Sequence, residues 1–423
     1  MELHKVEENG VSEAKEMING KNGKEKYSQE EEDEEDGDKP RRIEYGVDDN
    51  PPWYLSIILG LQVIMAVISG PVGAAFIMSA LVCADGNDLV LSQLINTSMF
   101  MVGVSTFLQV TLGARLPIIQ GSAFTYFIPV MSMLQTKEWQ CPPKINFTDQ
   151  ASYLNSSLNI NPLENLEEPW KPRLAAISGS LAVASIFHIL LGATGVIGIL
   201  IRYIGPLTVT PTVGMIGIML YDAINMNCKY QWGIAYGTIV LIIIFSLLMK
   251  KIMVPLCSCG KDGTKRKIPI FRLFCSAFAT IIMWLLCVIL TFSGAFPDDP
   301  EKLAYRARVD ARSDVLTKSA WFYLPYPGQW GPITIDTPTA LSLLGSVIGS
   351  SVESIGDYYA TARVCDVAAP PKHACNRGIM VEGLCSLASG LFGAGHATTS
   401  YSSIMGFIGY TGVIALHFKS LQW

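Results

Sequence analysis

About ten apolar segments of membrane-spanning length follow one another between residues 54 and 418, and lipid leaves such a chain few ways to fold. They run at 54–78, 89–112, 117–134, 174–196, 198–220, 231–249, 268–293, 335–360, 377–393 and 403–418. Lipid cannot hydrogen-bond a peptide group, so each segment must close its backbone bonds as a helix. Hydrophobic residues make up 50% of the chain and charged ones 16%, the charge being gathered into short blocks. The fold class is therefore an all-α polytopic membrane protein. The third, ninth and tenth segments are the shortest and the least secure as complete spans.

Residues 1–50 differ in kind. They include the acidic run Glu30-Glu-Glu-Asp-Glu-Glu-Asp-Gly-Asp38 and too little apolar surface for a core, which predicts a disordered acidic tail. That run alone outweighs the net charge of −5, so the balance carries no message about partners, and no nucleic-acid partner is expected. No apolar stretch precedes Pro51, so the first span is expected to act as the targeting signal. Arg41 and Arg42 lie ahead of that span, and Lys250, Lys251, Lys261, Lys265, Arg266 and Lys267 follow the sixth. Cytoplasmic loops carry the excess of basic residues, and alternating spans put both blocks on one side, so the N-terminus is predicted to be cytoplasmic. The segment 135–173 is then external, where Asn146 and Asn155 head glycosylation sequons. Of ten cysteines, only Cys83, Cys141 and Cys228 come out external, and Cys83 with Cys141 is the expected bridge. Cys257-Ser-Cys259 lacks a second ligand pair, so no metal site is expected beyond a coupling ion. His188, in an apolar span, reads as a bonded packing residue.

Glu353 and Asp357 lie one helical turn apart among Gly349, Ser350, Ser351, Ser354 and Gly356. An ionisable side chain at bilayer depth costs roughly 2.5–3.5 kcal/mol on insertion scales. Two on one face must therefore look onto protein, ions or a wet cavity. Small neighbours let another backbone or a ligand approach. The pair reads as a solute and cation site, or as a structural pair tied to neighbouring hydroxyls. An enzyme using the two as acid and base is disfavoured, because no nucleophile or metal-ligand set accompanies them.

Two spans are interrupted by polar and small residues, at Leu116-Pro-Ile-Ile-Gln-Gly-Ser-Ala-Phe-Thr-Tyr126 and at Ala394-Gly-His-Ala-Thr-Thr-Ser-Tyr-Ser-Ser403. Irregular backbone at membrane depth persists only where protein or water satisfies it, and matched breaks in two halves of a chain point to a midplane site in inverted-repeat transporters. A pair of ordinary re-entrant loops remains the alternative.

Glu353-Ser-Ile-Gly-Asp357-Tyr-Tyr-Ala-Thr-Ala-Arg363, Pro370-Pro-Lys-His-Ala-Cys-Asn-Arg-Gly378 and Glu382-Gly383 closely resemble the nucleobase and ascorbate transporter family, above all the animal sodium-dependent vitamin C transporters. The resemblance extends to Pro51-Pro-Trp-Tyr54, Arg115 through Phe124, Tyr203-Ile-Gly-Pro-Leu-Thr-Val-Thr-Pro-Thr212 and Asp310-Ala-Arg-Ser-Asp314. It implies an inverted-repeat fold of fourteen spans in core and gate domains, of which about ten are present. By that likeness 51–197 is the first part of the core, 198–334 the first half of the gate with an external loop, and 335–423 the second part of the core. It assigns Glu353 to the solute, Asp357 and Ser122 to sodium, and Gln62, Ser122, Phe124 and Gly406 to the solute pocket. It further implies sodium-coupled uptake of ascorbate or a nucleobase at the plasma membrane, a homodimer in the full-length form, and no organic cofactor.

The sequence departs from that family in three places. Val63 follows Gln62 where the family has histidine, and Ile404 stands where its tenth-span signature has asparagine. The chain also ends at Trp423, ahead of the last four spans. The alternative expectation is a transport-incompetent short form that binds or regulates full-length relatives.

Overall fold

A computed structural model describes residues 57–141 and 168–402, less 201–210, 256–266 and scattered short stretches between. The acidic tail, Gln62, Asn146, Asn155, Cys257, Cys259, Ile404 and Gly406 lie outside the described residues, as do the tenth segment and most of the fifth. Eight helices carry the architecture: α1 Ser69–Leu81, α2 Asp88–Thr111, α3 Phe127–Leu134, α4 Trp170–Ala193, α5 Trp232–Ile243, α6 Cys275–Phe292, α7 Thr337–Val364 and α8 Lys372–Leu391. The segments read at 89–112, 174–196 and 335–360 thus appear almost as expected. The ninth, expected to be short at 377–393, begins at Lys372 and has 20 residues. α2 and α4 are each long and apolar enough to cross a membrane unaided.

Local chemistry sets the ends of these helices. Asn87 caps α2 by accepting the Val90 N–H at 3.3 Å, and Asp336 caps α7 by accepting that of Thr339 at 3.0 Å. Pro338 sits in the first turn of α7, where its missing N–H costs nothing. The Ser180 hydroxyl bridges the N–H and C=O of Asp336, each at 3.1 Å, and so pins the start of α7 to α4.

α4 and α8 pack most closely of all. A methyl group on Gly192 would lie 2.3 Å from the Met380 nitrogen, and one on Gly383 would lie 2.6 Å from the Ile189 nitrogen. Without a hydrophobic drive between helices in lipid, such close backbone approach supplies the packing energy. α1 to α4 enclose a core that includes Met78, Leu94, Phe127, Leu174 and Trp330. Phe245, in the turn that continues α5, stacks with Phe271, ahead of α6, and with Phe278 of α6, and the two helices leave Trp232, Tyr236, Trp284, Ile289 and Phe292 exposed. An exposed apolar rim of that kind is what a lipid-facing pair requires.

The third segment is no continuous helix. It divides into β1 (Gln120–Ser122), a 3-10 turn at Phe124–Tyr126 and the eight-residue α3. Two two-residue strands, β2 (Val254–Pro255) and β3 (Lys267–Ile268), form a separate antiparallel ribbon. β4 (Thr398–Ser400) pairs antiparallel with β1, in the register Gln120 to Ser400, Gly121 to Thr399 and Ser122 to Thr398. The two interruptions expected from the sequence are thus one structure.

On the predicted external side, Cys83 and Cys141 form the disulfide expected of them. Arg173, fully buried, donates to the carbonyls of Trp139 at 2.9 Å and Gln140 at 2.6 Å beside it. The bridge closes a loop of 58 residues, for which loss of chain entropy alone amounts to about 4 kcal/mol. Cys83→Ser with Cys141→Ser should therefore lower the thermal midpoint of the detergent-solubilised protein and abolish its mobility shift between reducing and non-reducing gels. An unchanged midpoint would show that Arg173 and the packing of α1 hold this corner without the bridge.

Candidate functional site

α7 carries both carboxylates on one face, since residues four apart in a helix lie one above the other. Their surroundings separate them. Asp357 is 4% exposed; its Oδ2 accepts from the Ser400 hydroxyl at 3.0 Å and its Oδ1 from the Ser402 hydroxyl at 2.9 Å. Ser350 and Ser354 reach Thr399 Oγ1 at 3.1 and 3.0 Å. One face of α7 is thereby stitched to β4 and the residues after it, and the structural reading describes Asp357 well. Glu353 is partly exposed, and among the described residues none hydrogen-bonds it. The pair divides into one carboxylate that holds the broken strand and one left to meet something else.

The ribbon makes the second wall. In a two-stranded antiparallel pair, alternate N–H groups point away from the partner strand and need other acceptors. Gln120 N–H donates to Thr106 Oγ1 at 3.0 Å and Ser122 N–H to Tyr401 Oη at 3.1 Å. Ser122 Oγ lies 3.1 Å from His396 Nε2, which is also 2.9 Å from Ser98 Oγ, and His396 Nδ1 lies 2.9 Å from the Ala397 carbonyl. A carbonyl can only accept, so Nδ1 carries the proton and Nε2 accepts from the two hydroxyls. The Ser122 side chain is thus bonded to His396, whereas its backbone N–H faces Tyr401.

Glu382 of α8 is a third carboxylate at this depth. It is fully buried, its Oε1 accepts from Gln120 Nε2 at 3.1 Å, and its Oε2 has no hydrogen-bond partner among the described residues. Glu382 has no role in the resemblance as read from sequence, although the only carboxylate inside the ninth apolar segment was signal enough. His188, expected to be bonded, is buried with Nε2 3.3 Å from Ser351 Oγ.

Phe124 stands elsewhere. With Gly73 and Phe76 of α1 it lines one side of a cavity of about 910 Å³ whose other wall includes Tyr230, Arg306 and Arg312. Glu353 and Asp357 do not line that cavity. The structure thus brings Glu353, Asp357 and the Ser122 backbone to the ribbon and places Phe124 at the cavity. In the loop after α6, Arg308 holds Asp310 by two hydrogen bonds at 2.9 and 2.8 Å, which keeps that carboxyl below the usual carboxylate range. Arg312 lies 3.5 Å from Asp88 and over the Phe76 ring, so an ion pair and an aromatic ring lie together in the cavity wall.

Replacing Glu382 tests what the third carboxylate contributes. Glu382→Leu leaves Gln120 Nε2 buried and unpaired, at roughly 1–3 kcal/mol, while Glu382→Gln keeps an acceptor. The leucine variant should melt lower than the glutamine variant in detergent; equal midpoints would mean that the Gln120 bond contributes nothing.

Comparison with known proteins agrees with this architecture. The profile of the Permease family, the xanthine and uracil permeases, matches residues 55–416. Solute carrier family 23 member 1 of Rattus norvegicus is 38% identical over 371 residues, covering 87% of this chain and 60% of that protein. Solute carrier family 23 member 2 of Homo sapiens is 40% identical over 371 residues, covering 87% and 56%. Nucleobase-ascorbate transporter 1 of Arabidopsis thaliana is 30% identical over 372 residues, covering 88% and 65%. The chain therefore spans between 56% and 65% of the length of these curated relatives. With its apolar helices, its broken and paired spans and this match along most of its length, the chain is a multi-pass helical membrane protein that belongs to the xanthine and uracil permease family, a family of permeases and not of enzymes.

Proposed function

We propose that this chain belongs to a sodium-coupled transporter that moves ascorbate or a nucleobase across the plasma membrane. The observation that carries the reading is Glu353, a carboxylate without a hydrogen-bond partner among the described residues, set beside two broken spans that pair with each other. A partly exposed carboxylate at membrane depth has to be matched by something that binds. The N–H and O–H groups of a nucleobase or of ascorbate are suitable donors to it. The plant relative supports the solute class, since it is named for both nucleobases and ascorbate, and the animal relatives, named as solute carriers, support transport.

Sodium is the proposed coupling ion. Asp357 keeps acceptor capacity beyond the two hydroxyls it already binds, because an ionised carboxylate offers about four lone-pair sites. Ser122 can offer an oxygen close to the same ribbon. A cation near Asp357 would also offset the repulsion between two carboxylates a turn apart. Gln62, Phe124 and Gly406 complete the proposed solute pocket. In this reading fourteen spans form two inverted halves, with 51–197 and 335–423 contributing to the core and 198–334 to the gate. The tail at 1–50 is cytoplasmic, 135–173 is external with glycans on Asn146 and Asn155, and the full-length form is a homodimer.

Uptake of radiolabelled ascorbate, uracil and xanthine, in sodium and with choline in its place, tests the proposal. Sodium-dependent accumulation is expected, and Glu353→Gln should abolish it while surface expression stays near that of the parent. Loss of surface protein in that variant would return Glu353 to a structural role. Absence of uptake from parent protein shown to be at the surface would favour the rival, a form that binds and regulates full-length relatives.

Solute choice gives a second test. Val63 is a half-buried helical residue, and Ile404 stands where the resembling family has an amide. Ile404→Asn with Val63→His should raise ascorbate uptake relative to uracil. An unchanged profile in a properly trafficked double variant would remove these positions from the account of specificity.

A further inference from the structure

Tyr401 follows β4 directly, and its N–H still pairs across the ribbon, donating to the Ile119 carbonyl at 3.0 Å. Its ring turns back over β1. A methyl group built on Gly121 would lie 2.0 Å from the ring carbon Cζ, and one built on Gly70, at the start of α1, would lie 2.0 Å from Oη. The phenol therefore fills a recess that exists because neither position carries a side chain. The same oxygen accepts the Ser122 N–H at 3.1 Å, and the residues on either side of it, Ser400 and Ser402, donate to Asp357, one turn of α7 from Glu353.

These facts bear on what a solute can meet. Breaking a span releases backbone donors at membrane depth, and Ser122 N–H is the one that leaves the ribbon on the side of Tyr401. The phenol has taken it. A hydroxyl that accepts one hydrogen bond still has its own proton to donate. Beside β1 the protein thus presents a phenolic O–H where it would otherwise present an amide N–H, and a ring occupies volume that a solute could otherwise enter.

We infer that Tyr401 is a specificity-determining residue, whose ring closes the Gly70–Gly121 recess so that the site takes single-ring polar solutes and rejects bicyclic ones. The inference rests on the transport reading above and narrows it to a solute size. Tyr401→Ser opens the recess and frees the Ser122 amide. Tyr401→Phe frees the amide and keeps the volume.

The test is sodium-dependent binding of tritiated uracil, ascorbate and xanthine to the full 423-residue chain in lipid nanodiscs. Tyr401→Ser should improve xanthine binding relative to uracil by about tenfold, the equivalent of roughly 1.4 kcal/mol. Tyr401→Phe should leave the size preference in place. If Tyr401→Ser keeps the parent's affinities and rank order while Glu353→Gln abolishes binding, the inference is overturned and the transport reading stands. If no solute binds to the parent or to either tyrosine variant, both fall. A solute-free measurement checks the geometry independently. Gly121→Ala should lower the thermal midpoint in the parent and do so far less in the Tyr401→Ser background. Equal losses in the two backgrounds would show that the ring does not fill the recess, and would overturn the inference.

Discussion

An interrupted helix in lipid exposes peptide groups that have no water to bond, and an unsatisfied group costs several kcal/mol in hydrocarbon. This chain has two such interruptions, and it meets the cost by bringing them together. β1 and β4 pair in register, Ala123 N–H donates to the Ala397 carbonyl at 2.9 Å just beyond the ribbon, and neighbouring helices supply the remaining partners. Ser386 of α8 bonds both the N–H and the C=O of Thr398, at 3.1 and 3.2 Å, and Ser389 donates to the His396 carbonyl at 2.6 Å. Ser350 and Ser354 of α7 bond Thr399. The small polar residues that weaken α7 and α8 as lipid-facing helices are the partners that make the breaks tolerable.

From that constraint follows the unequal fate of the carboxylates. Asp357 and Glu382 are drawn into servicing the ribbon, one through Ser400 and Ser402 beside β4, the other through Gln120 of β1. Glu353 lies on the same face of α7 as Asp357 but takes no part in that work. Two serine hydroxyls on Asp357 leave other lone pairs of an ionised carboxylate unused, so a structural role for it does not exclude a second one. Helix packing supports the arrangement from behind, where Gly192 and Gly383 let α4 and α8 approach until backbone meets backbone.

Much of the scaffold was legible in the chain because its signals are local. Segment length and apolarity located α2, α4 and α7, and polar residues in an apolar run marked both breaks. Cysteine placement under the predicted topology picked out Cys83 and Cys141. Helix ends were less legible: α8 starts at Lys372, five residues ahead of the apolar segment, because a first turn with Lys372 and His373 lowers hydropathy without preventing helix. Glu382 has no neighbouring carboxylate in its helix, and its partner Gln120 lies 262 positions away in the chain. His396 and Tyr401 lay inside the break marked at 394–403, but their partners Ser98, Ser122 and Gly121 are far away in the chain, so the linear order gave neither a role.

The sequence by itself determined that the chain lies in a membrane as helices, that two spans are broken, and that charge is retained at depth, because each is a property of consecutive residues in a solvent that tolerates few alternatives. Only the tertiary structure decided that the breaks pair with each other, that Ser122 turns its hydroxyl to His396 and its amide to Tyr401, and that Phe124 faces a cavity apart from Glu353. The ribbon and the partners of Ser122 depend on contacts between residues more than two hundred positions apart in the chain, as in Ser122 with Tyr401 at a separation of 279. Directional bonding between such distant groups is fixed when α4, α7 and α8 close around the ribbon, and no stretch of the sequence read alone contains it.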